Sequence, residues 1–261
     1  MIQRILTAVV ALIIFVPFVL YGKWPFMLFI YLLATIGFME LIDMSKIKKH
    51  FFPVITSILA LWMILYPGME SELPYTHLTK TDIIIILSML LFIYTVLLKN
   101  KFNFQTAGFY LISLAYISIG FYFFMYTRDV GLSHLLYALF IVWATDTGAY
   151  FVGRRLGRRK LMPSISPKKT VEGAMGGIVC ASIVAIVFQF VAPFPVSFLT
   201  MIGITVLASI AGQLGDLVES AFKRHFGVKD SGTILPGHGG ILDRFDSLLF
   251  VLPFLYVIGF I

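Results

Sequence analysis

The sequence predicts an all-α, polytopic integral membrane protein with about nine transmembrane helices. Of its 261 residues, 59% are hydrophobic and only 13% are charged, and the mean hydropathy is +0.96. A soluble domain usually carries about 25% charged residues, so this apolar excess cannot be buried in one soluble core of this size. Long uncharged segments recur along the chain, which is the third observation that favours membrane spans.

Nine apolar segments approach the roughly 20 residues that a helix needs to cross a bilayer. They are Ile5–Tyr21, Trp24–Ile42, Phe51–Pro67, Asp82–Leu98, Ala107–Tyr126, His134–Phe151, Gly173–Ala192, Val196–Ser220 and Ile241–Ile261. From Gly173 to Gly215 there is no charge, and only the sequence APFP at 192–195 divides this run. Because proline cannot continue a helix, the run is predicted to form two spans joined by a tight hairpin.

Lysine and arginine are distributed unevenly between the loops, which predicts the orientation. With the N-terminus in the cytoplasm, 17 of the 20 basic residues fall on the inner side, and only Lys23, Lys80 and Arg128 fall outside. Cytoplasmic loops of membrane proteins are enriched in these residues. The sequence therefore predicts a cytoplasmic N-terminus and an odd number of spans.

The two halves of the chain differ in polarity. Residues 1–130 form about five spans with few polar groups, and we interpret them as lipid-facing or packing helices. Glu40 and Asp43, at an inner helix end, are interpreted as solvated carboxylates. The segment from Met69 to Thr81 is the longest predicted outside loop. Residues 131–261 form about four spans with cytoplasmic loops, and they hold the candidate chemistry.

Acidic residues collect at the inner ends of three spans in the second half. The last span must begin near residue 241 to reach about 31 Å, the thickness that a bilayer core requires. That start places Asp243 and Asp246 in its first turns, three apart on one face. Two other spans end at the same depth with acidic side chains, namely Asp146, Asp216 and Glu219.

Such a cluster predicts a functional site, because ionisable residues at membrane depth are costly and usually functional. Carboxylates repel each other unless a cation or basic groups lie among them, and their oxygens suit Mg²⁺. Basic residues are close by in the sequence: SPKKTVEGAMGG at 166–177, Lys223, Arg224, Lys229 and Arg244. The combination is typical of phosphoryl or nucleotidyl transfer.

Simpler interpretations exist for each of these residues. A single Asp at a helix start is more often a cap than a ligand, and basic residues in inner loops are mostly topology signals. His238 and its neighbouring glycines could be turn residues only. The density of such features between Ser220 and Asp246 favours a site.

The segment SAFKRHFGVKDSGTILPGHGGILDRFD, residues 220–246, resembles the signature of phosphatidate cytidylyltransferases, also called CDP-diacylglycerol synthases. The pattern is a serine, Lys-Arg, Lys-Asp, Leu-Pro-x-His-Gly-Gly and Asp-Arg-x-Asp. DTGAYFVGRRLGRRK and SPKKTVEG, further upstream, are also similar to this family. The resemblance covers about residues 143–246, whereas the first five spans match only in being hydrophobic.

The resemblance implies an enzyme that makes CDP-diacylglycerol and pyrophosphate from CTP and phosphatidic acid, using Mg²⁺ with K⁺ as a possible second ion. It implies a homodimer in a bacterial plasma membrane, with the active site on the cytoplasmic side and no nucleic-acid partner. By position, Asp216 and Asp243 would be the chief metal ligands, supported by Asp246.

Further roles follow as hypotheses. We expect phosphates to be held by Lys168, Lys169, Lys223 and Arg224, together with Lys229 or Arg244. Asp146 is a candidate second ligand or nucleotide contact, and His238 a candidate for orienting the substrate phosphate. The remaining substrate-binding candidates are Ser166, Thr170 and Ser220.

Two other functions fit parts of the pattern. A CTP-dependent lipid or polyprenol kinase would transfer the γ-phosphate instead of the cytidylyl group. A cation or phosphate transporter would use the aspartates as its ion site, but transporters usually place that site near the bilayer midplane, often with internal repeats. Here the carboxylates cluster at one face, and the sequence shows no internal repeat.

Overall fold

The computed structural model describes residues 2–68 and 78–261. Its elements in chain order are α1 (Ile2–Tyr21), α2 (Lys23–Met44), α3 (Phe51–Leu65), α4 (Lys80–Leu97), α5 (Phe104–Val130), α6 (Leu132–Leu156), β1 (Lys160–Met162), β2 (Ser166–Thr170), α7 (Val171–Val191), α8 (Phe198–Phe226), α9 (Leu242–Phe245) and α10 (Leu248–Val257). Most of the predicted outside loop, residues 69–81, lies outside the described residues.

The protein is a multi-pass membrane protein, as predicted. Within the described residues, seven helices are long and apolar enough to cross a bilayer: α1, α2, α4, α5, α6, α7 and α8. Two further apolar helices, α3 and α10, have only 15 and 10 residues. Each of the nine predicted segments therefore contains a helix, although two of these helices are shorter than a full span.

The last predicted span is not one helix, which corrects the expectation of a continuous helix from Ile241 to Ile261. The structure has the short helix α9, a break at Asp246 and Ser247, and then α10. The Asp246 carboxylate accepts the Ser247 backbone N–H at 2.7 Å. At this break the Asp246 carbonyl lies so close to α8 that a Cβ on Gly215 would come within 2.6 Å of it.

A short antiparallel hairpin, β1–β2, connects α6 to α7 and was not predicted from the sequence. Its base is fixed by Glu172 in the first turn of α7, whose carboxylate accepts the backbone N–H groups of Arg158 at 3.0 Å and Arg159 at 3.1 Å. The hairpin therefore carries the basic segment 160–170 beside the C-terminal end of α6 and the N-terminal end of α7.

Helices α6 and α7 pack at very short distance because glycines lie at their contact. A Cβ on Gly176 would come within 2.5 Å of the Val152 side chain, and one on Gly177 within 2.7 Å of the Thr145 carbonyl oxygen. Small residues that admit close backbone approach are typical of helix contacts in membranes. The contact fixes the depth of the first turn of α7 relative to α6.

Further helix contacts lie both between and within the two predicted halves of the chain. Helix α5 packs against both α2 and α10, so it lies between the N-terminal and C-terminal helices. Helices α6 and α8 are joined by two buried hydroxyl pairs, Tyr137 with Thr205 at 2.5 Å and Thr145 with Ser209 at 2.8 Å. The division at residue 130 falls between α5 and α6 and stays a prediction.

We predict that Gly177→Ala destabilises the protein by about 1–3 kcal/mol, the usual cost of overpacking, because the new methyl group meets backbone of α6. Gly203→Ala in α8 is the matched control, since no atom lies within 4 Å of its Cβ position. The measurement is the free energy of unfolding by denaturant titration in detergent micelles. Equal stability of the two variants would contradict the proposed close contact.

Candidate active site

Asp243, on α9 at the start of the last apolar segment, is held by four donated hydrogen bonds. Its Oδ2 accepts from the Ser231 N–H at 2.8 Å, the Ser231 hydroxyl at 2.9 Å and the Gly240 N–H at 2.8 Å. Its Oδ1 lies 2.6 Å from Lys223 Nζ. These contacts fix the direction of the carboxylate.

Lys223, near the end of α8, is shared between two buried carboxylates. Its ammonium pairs with Asp243 and also with Glu219, one turn earlier on the same helix. The Glu219 side chain is fully buried. A buried charge is costly unless it is paired, so the lysine compensates both acids. Lys223 was predicted to hold a phosphate, but in this structure its ammonium forms ion pairs with Glu219 and Asp243.

The Glu40 carboxylate on α2 was predicted to be solvated, and this prediction was wrong, because only 7% of the residue is exposed. Its oxygens accept the N–H groups of Ile241 at 2.8 Å and Leu242 at 2.9 Å. Glu40 Oε2 also lies 3.2 Å from the Ser231 hydroxyl, which has one proton to share between Glu40 and Asp243. Asp43, one turn further on, is exposed and pairs with a surface lysine, which confirms the prediction for that residue.

A cavity of about 520 Å³, named the polar cavity for its charged lining residues, lies between α6, the hairpin, the start of α7 and the second half of α8. Four basic side chains line it: Arg154, Lys160, Lys168 and Lys169. Two predicted acidic residues, Asp146 and Asp216, line the same cavity, together with Thr170. This polar cavity thus combines an excess of positive charge with carboxylates at one side, which suits a polyanion accompanied by a cation.

A second cavity of about 420 Å³, the apolar cavity, lies between α1, α2, α6 and the segment 235–248. Most of its lining is apolar and comes from α1, α2 and α6, for example Leu12, Phe29 and Leu139. Its polar lining residues are Asp146, His238, Asp243, Arg244 and Asp246. The His238 Nδ1 atom is buried there without a hydrogen-bond partner in the described residues.

Asp146 lines both cavities and so marks the place where they meet. It has close electrostatic neighbours, since the Asp246 carboxyl lies near enough to Asp146 and Asp216 to be repelled by both. Asp216 is paired with Lys169 at 2.5 Å and accepts the Ser220 hydroxyl at 3.3 Å. The three predicted carboxylate-bearing segments therefore converge.

The acidic residues of this region offer the negative charge and the oxygen donors that a divalent cation takes. Five carboxyl groups lie there, Asp146, Asp216, Glu219, Asp243 and Asp246, but only Lys169 and Lys223 form ion pairs with them among the described residues. Both predicted chief ligands, Asp216 and Asp243, already pair with a lysine ammonium. Across residues 2–68 and 78–261, however, no three His, Cys, Asp or Glu side chains are gathered closely enough to hold a metal ion.

Several predicted residues lie apart from the cavities in the described structure. Arg224 is exposed, and its Nε donates to the Ile165 carbonyl at 3.1 Å, which ties α8 to the hairpin. Lys229 is exposed and Ser166 half-buried, and neither lines either cavity. Thr170 lines the polar cavity, but its oxygen also caps α7 by accepting the Gly173 N–H at 3.1 Å.

Other residues of the site were not singled out from the sequence. Arg154 and Lys160 line the polar cavity, and Ser231 contacts Asp243. All three belong to charged or polar segments that were noted only as groups. Glu40 gave a signal of its own, because a glutamate followed by further apolar residues at the end of a span is costly unless it has partners.

We predict that Lys223→Met destabilises the protein by about 3–5 kcal/mol, because it leaves buried carboxylates uncompensated. The double variant Glu219→Gln/Lys223→Met should recover part of this loss. Lys49→Met is the control, since its pair with Asp43 is exposed and such pairs contribute only about 0–1 kcal/mol. Denaturant titration in micelles measures all three, and wild-type stability of Lys223→Met would refute the compensating role.

Comparison with known proteins identifies the family of the chain. Residues 2–261 match the Cytidylyltransferase family. The chain is 50% identical over 257 residues to the phosphatidate cytidylyltransferase of Bacillus subtilis (strain 168), covering 97% of this chain and 96% of that protein. It is 52% and 49% identical over 255 residues to the phosphatidate cytidylyltransferases of Staphylococcus haemolyticus (strain JCSC1435) and Staphylococcus aureus (strain COL), covering 98% of this chain and 97% of each. The chain belongs to the cytidylyltransferase family.

Proposed function

We propose that this membrane enzyme transfers the cytidylyl group of CTP to phosphatidic acid, giving CDP-diacylglycerol and pyrophosphate for phospholipid biosynthesis. One observation carries the proposal: a basic polar cavity and a largely apolar cavity meet at Asp146. The reaction joins a water-soluble polyanion to a lipid, so it needs two unlike compartments with a shared edge. The relatives named phosphatidate cytidylyltransferase support the same conclusion.

CTP occupies the polar cavity in this proposal. Lys168 and Lys169 on the hairpin, with Arg154 on α6 and Lys160 on β1, surround the space for its triphosphate. Basic groups in a partly enclosed site attract and orient phosphates. Gln213, which lines the same cavity, offers an amide for hydrogen bonding to the nucleotide.

Phosphatidic acid occupies the apolar cavity. Its acyl chains lie against apolar side chains of α1, α2 and α6, and its phosphate lies at the polar end near His238 and Arg244. The Arg244 guanidinium is suited to a phosphate because it presents paired donors. The unpartnered Nδ1 of His238 is available to hydrogen-bond the same phosphate.

The chemical step needs no covalent enzyme intermediate. An oxygen of the phosphatidate phosphate forms a bond to the α-phosphorus of CTP, while the bond from that phosphorus to the bridging oxygen of the β-phosphate breaks. The electron pair leaves with pyrophosphate, which the basic residues of the polar cavity stabilise. Catalysis of this kind consists mainly of positioning and charge stabilisation.

Mg²⁺ would neutralise the reacting phosphates and help to orient them when bound. We propose Asp216 and Asp243 as its chief ligands, supported by Asp246 and with Asp146 as a further candidate. Among the described residues Asp146 and Asp246 form no ion pair with a basic side chain, which supports an added cation beside them. Because Lys169 and Lys223 pair with the two chief ligands, the ion would compete with both lysines. K⁺ as a second ion stays a prediction.

The site faces the cytoplasm in this proposal. Support comes from the basic residues. When the N-terminus is placed inside, 17 of the 20 fall on the side of the site, and cytoplasmic loops are enriched in such residues. CTP is made and kept in the cytoplasm, and the lipid phosphate lies at the membrane surface, so the inner face is where both are accessible. The family resemblance also supports a homodimer, which light scattering in detergent would measure.

Labelled nucleotides test the reaction directly. With purified enzyme, phosphatidic acid vesicles and Mg²⁺, we expect label from α-³²P CTP to enter the lipid and label from γ-³²P CTP to leave as pyrophosphate. Omission of phosphatidic acid is the control and should abolish lipid labelling. Transfer of the γ-label to lipid would identify a kinase and refute the proposal.

We predict that Asp216→Asn and Asp243→Asn each weaken divalent-ion binding at least ~10-fold and abolish turnover, while folding and membrane insertion are retained. Mn²⁺ binding followed by electron paramagnetic resonance measures affinity independently of activity. Asp129→Asn is the control. It removes an exposed carboxylate at the C-terminal end of α5, which lines neither cavity, and should bind Mn²⁺ normally. Full turnover in Asp243→Asn would remove it from the ligand set.

A further inference from the structure

Glu40 connects the N-terminal helices to the loop that carries the site residues. The residue lies near the end of α2, about 200 positions before its backbone partners Ile241 and Leu242. Each of its two carboxylate oxygens accepts one of these N–H groups, at 2.8 and 2.9 Å. The start of α9, which holds Asp243, is therefore fixed to α2.

The loop is shaped to fit around this carboxylate. Gly232 and Gly240 both lie against Glu40, and a Cβ on either would overlap with Oε1 or with the carboxyl carbon beyond it. Side chains at these two positions would therefore push the loop away. The absence of a Cβ lets the backbone of residues 231–242 close on Glu40 from two sides.

Ser231 lies between the carboxylates of Glu40 and Asp243 and contacts both. Its hydroxyl lies 3.2 Å from Glu40 Oε2 and 2.9 Å from Asp243 Oδ2, and only 4% of the residue is exposed. The Ser231 N–H also donates to Asp243 at 2.8 Å. A shift of Glu40 would thus move the groups that set the direction of the Asp243 carboxylate.

We propose that Glu40 is a positioning residue for the cytidylyl transfer, acting through Ser231 and the backbone of residues 240–242 to aim Asp243 at the junction of the two cavities. This inference rests on the proposed function. Glu40 itself lines neither cavity, so it contacts the reacting groups only through these neighbours. The N-terminal helices consequently contribute to the chemical step as well as to packing.

Positioning and simple structural support predict different kinetics. A residue that only stabilises the fold lowers the amount of folded enzyme but leaves the turnover of each folded molecule unchanged. A residue that aims a catalytic group lowers kcat, whereas the KM for a substrate held elsewhere stays the same. Because CTP is placed in the polar cavity, away from Glu40, KM for CTP is the discriminating quantity.

Glu40→Gln is the test variant, and Asp43→Asn is its matched control. Both changes remove one negative charge from α2, three residues apart, but Asp43 is exposed and pairs with Lys49 at the surface. The amide nitrogen of glutamine cannot accept the backbone N–H that an oxygen of Glu40 accepts. We expect kcat of Glu40→Gln to fall at least ~10-fold, with KM for CTP within about 2-fold and with Asp43→Asn like wild type.

A second measurement tests whether Glu40 acts on Asp243 through Ser231 or independently of it. Combining Glu40→Gln with Ser231→Ala should cost less in kcat than the product of the two single losses, because the residues act along one connection. Wild-type kcat in Glu40→Gln, an equal loss in Asp43→Asn, or full additivity would each overturn the proposal.

Folding and function remain separable in this design. If Glu40→Gln does not purify as a folded protein, Ser231→Ala alone carries the test, and a wild-type kcat in that variant overturns the proposal. If wild-type enzyme does not move the α-label of CTP into lipid, the proposed function fails. A variant that equals an active wild type refutes the role of Glu40 only.

Discussion

The whole site depends on how buried carboxylates are compensated among apolar helices. Asp243 and Glu219 share one lysine, and the second oxygen of Asp243 accepts hydrogen bonds from Ser231 and Gly240. Burial of a charge is tolerated only with such partners. The path of the loop from Ser231 to Leu242 is consequently set by the need to bring its N–H groups to the acids of α2 and α9.

Much of the fold was predictable from local sequence. Long apolar segments predicted the helices, because the number of apolar residues needed to cross a bilayer can be counted within each segment alone. The carboxylates of residues 146, 216, 243 and 246 were predicted to converge because they lie at one depth, at the ends of two spans and the start of a third. The structure brings them to two adjoining cavities.

The parts that were missed depend on contacts between distant segments. The break before α10 coincides with the close approach of Gly215 on α8, which no local pattern reports. The hairpin segment SPKKT lacks the alternation of apolar and polar residues by which strands are recognised. Glu40 was interpreted as solvated because its partners lie about 200 residues away.

Helix α6 has a special position in this architecture. One side of its C-terminal half packs against the glycines of α7, and it contributes Asp146 to both cavities. A single helix thus borders both the polar cavity and the apolar cavity. Groups mounted on rigid elements hold their geometry better than groups on loops.

The ten residues of α10 correspond to about 15 Å, half the thickness of the hydrocarbon layer. The helix packs against α5, α6 and α8, so the interrupted backbone hydrogen bonds before it are covered by other helices, as membrane proteins require. A lipid would reach the enzyme by lateral diffusion and react without being lifted out of its leaflet.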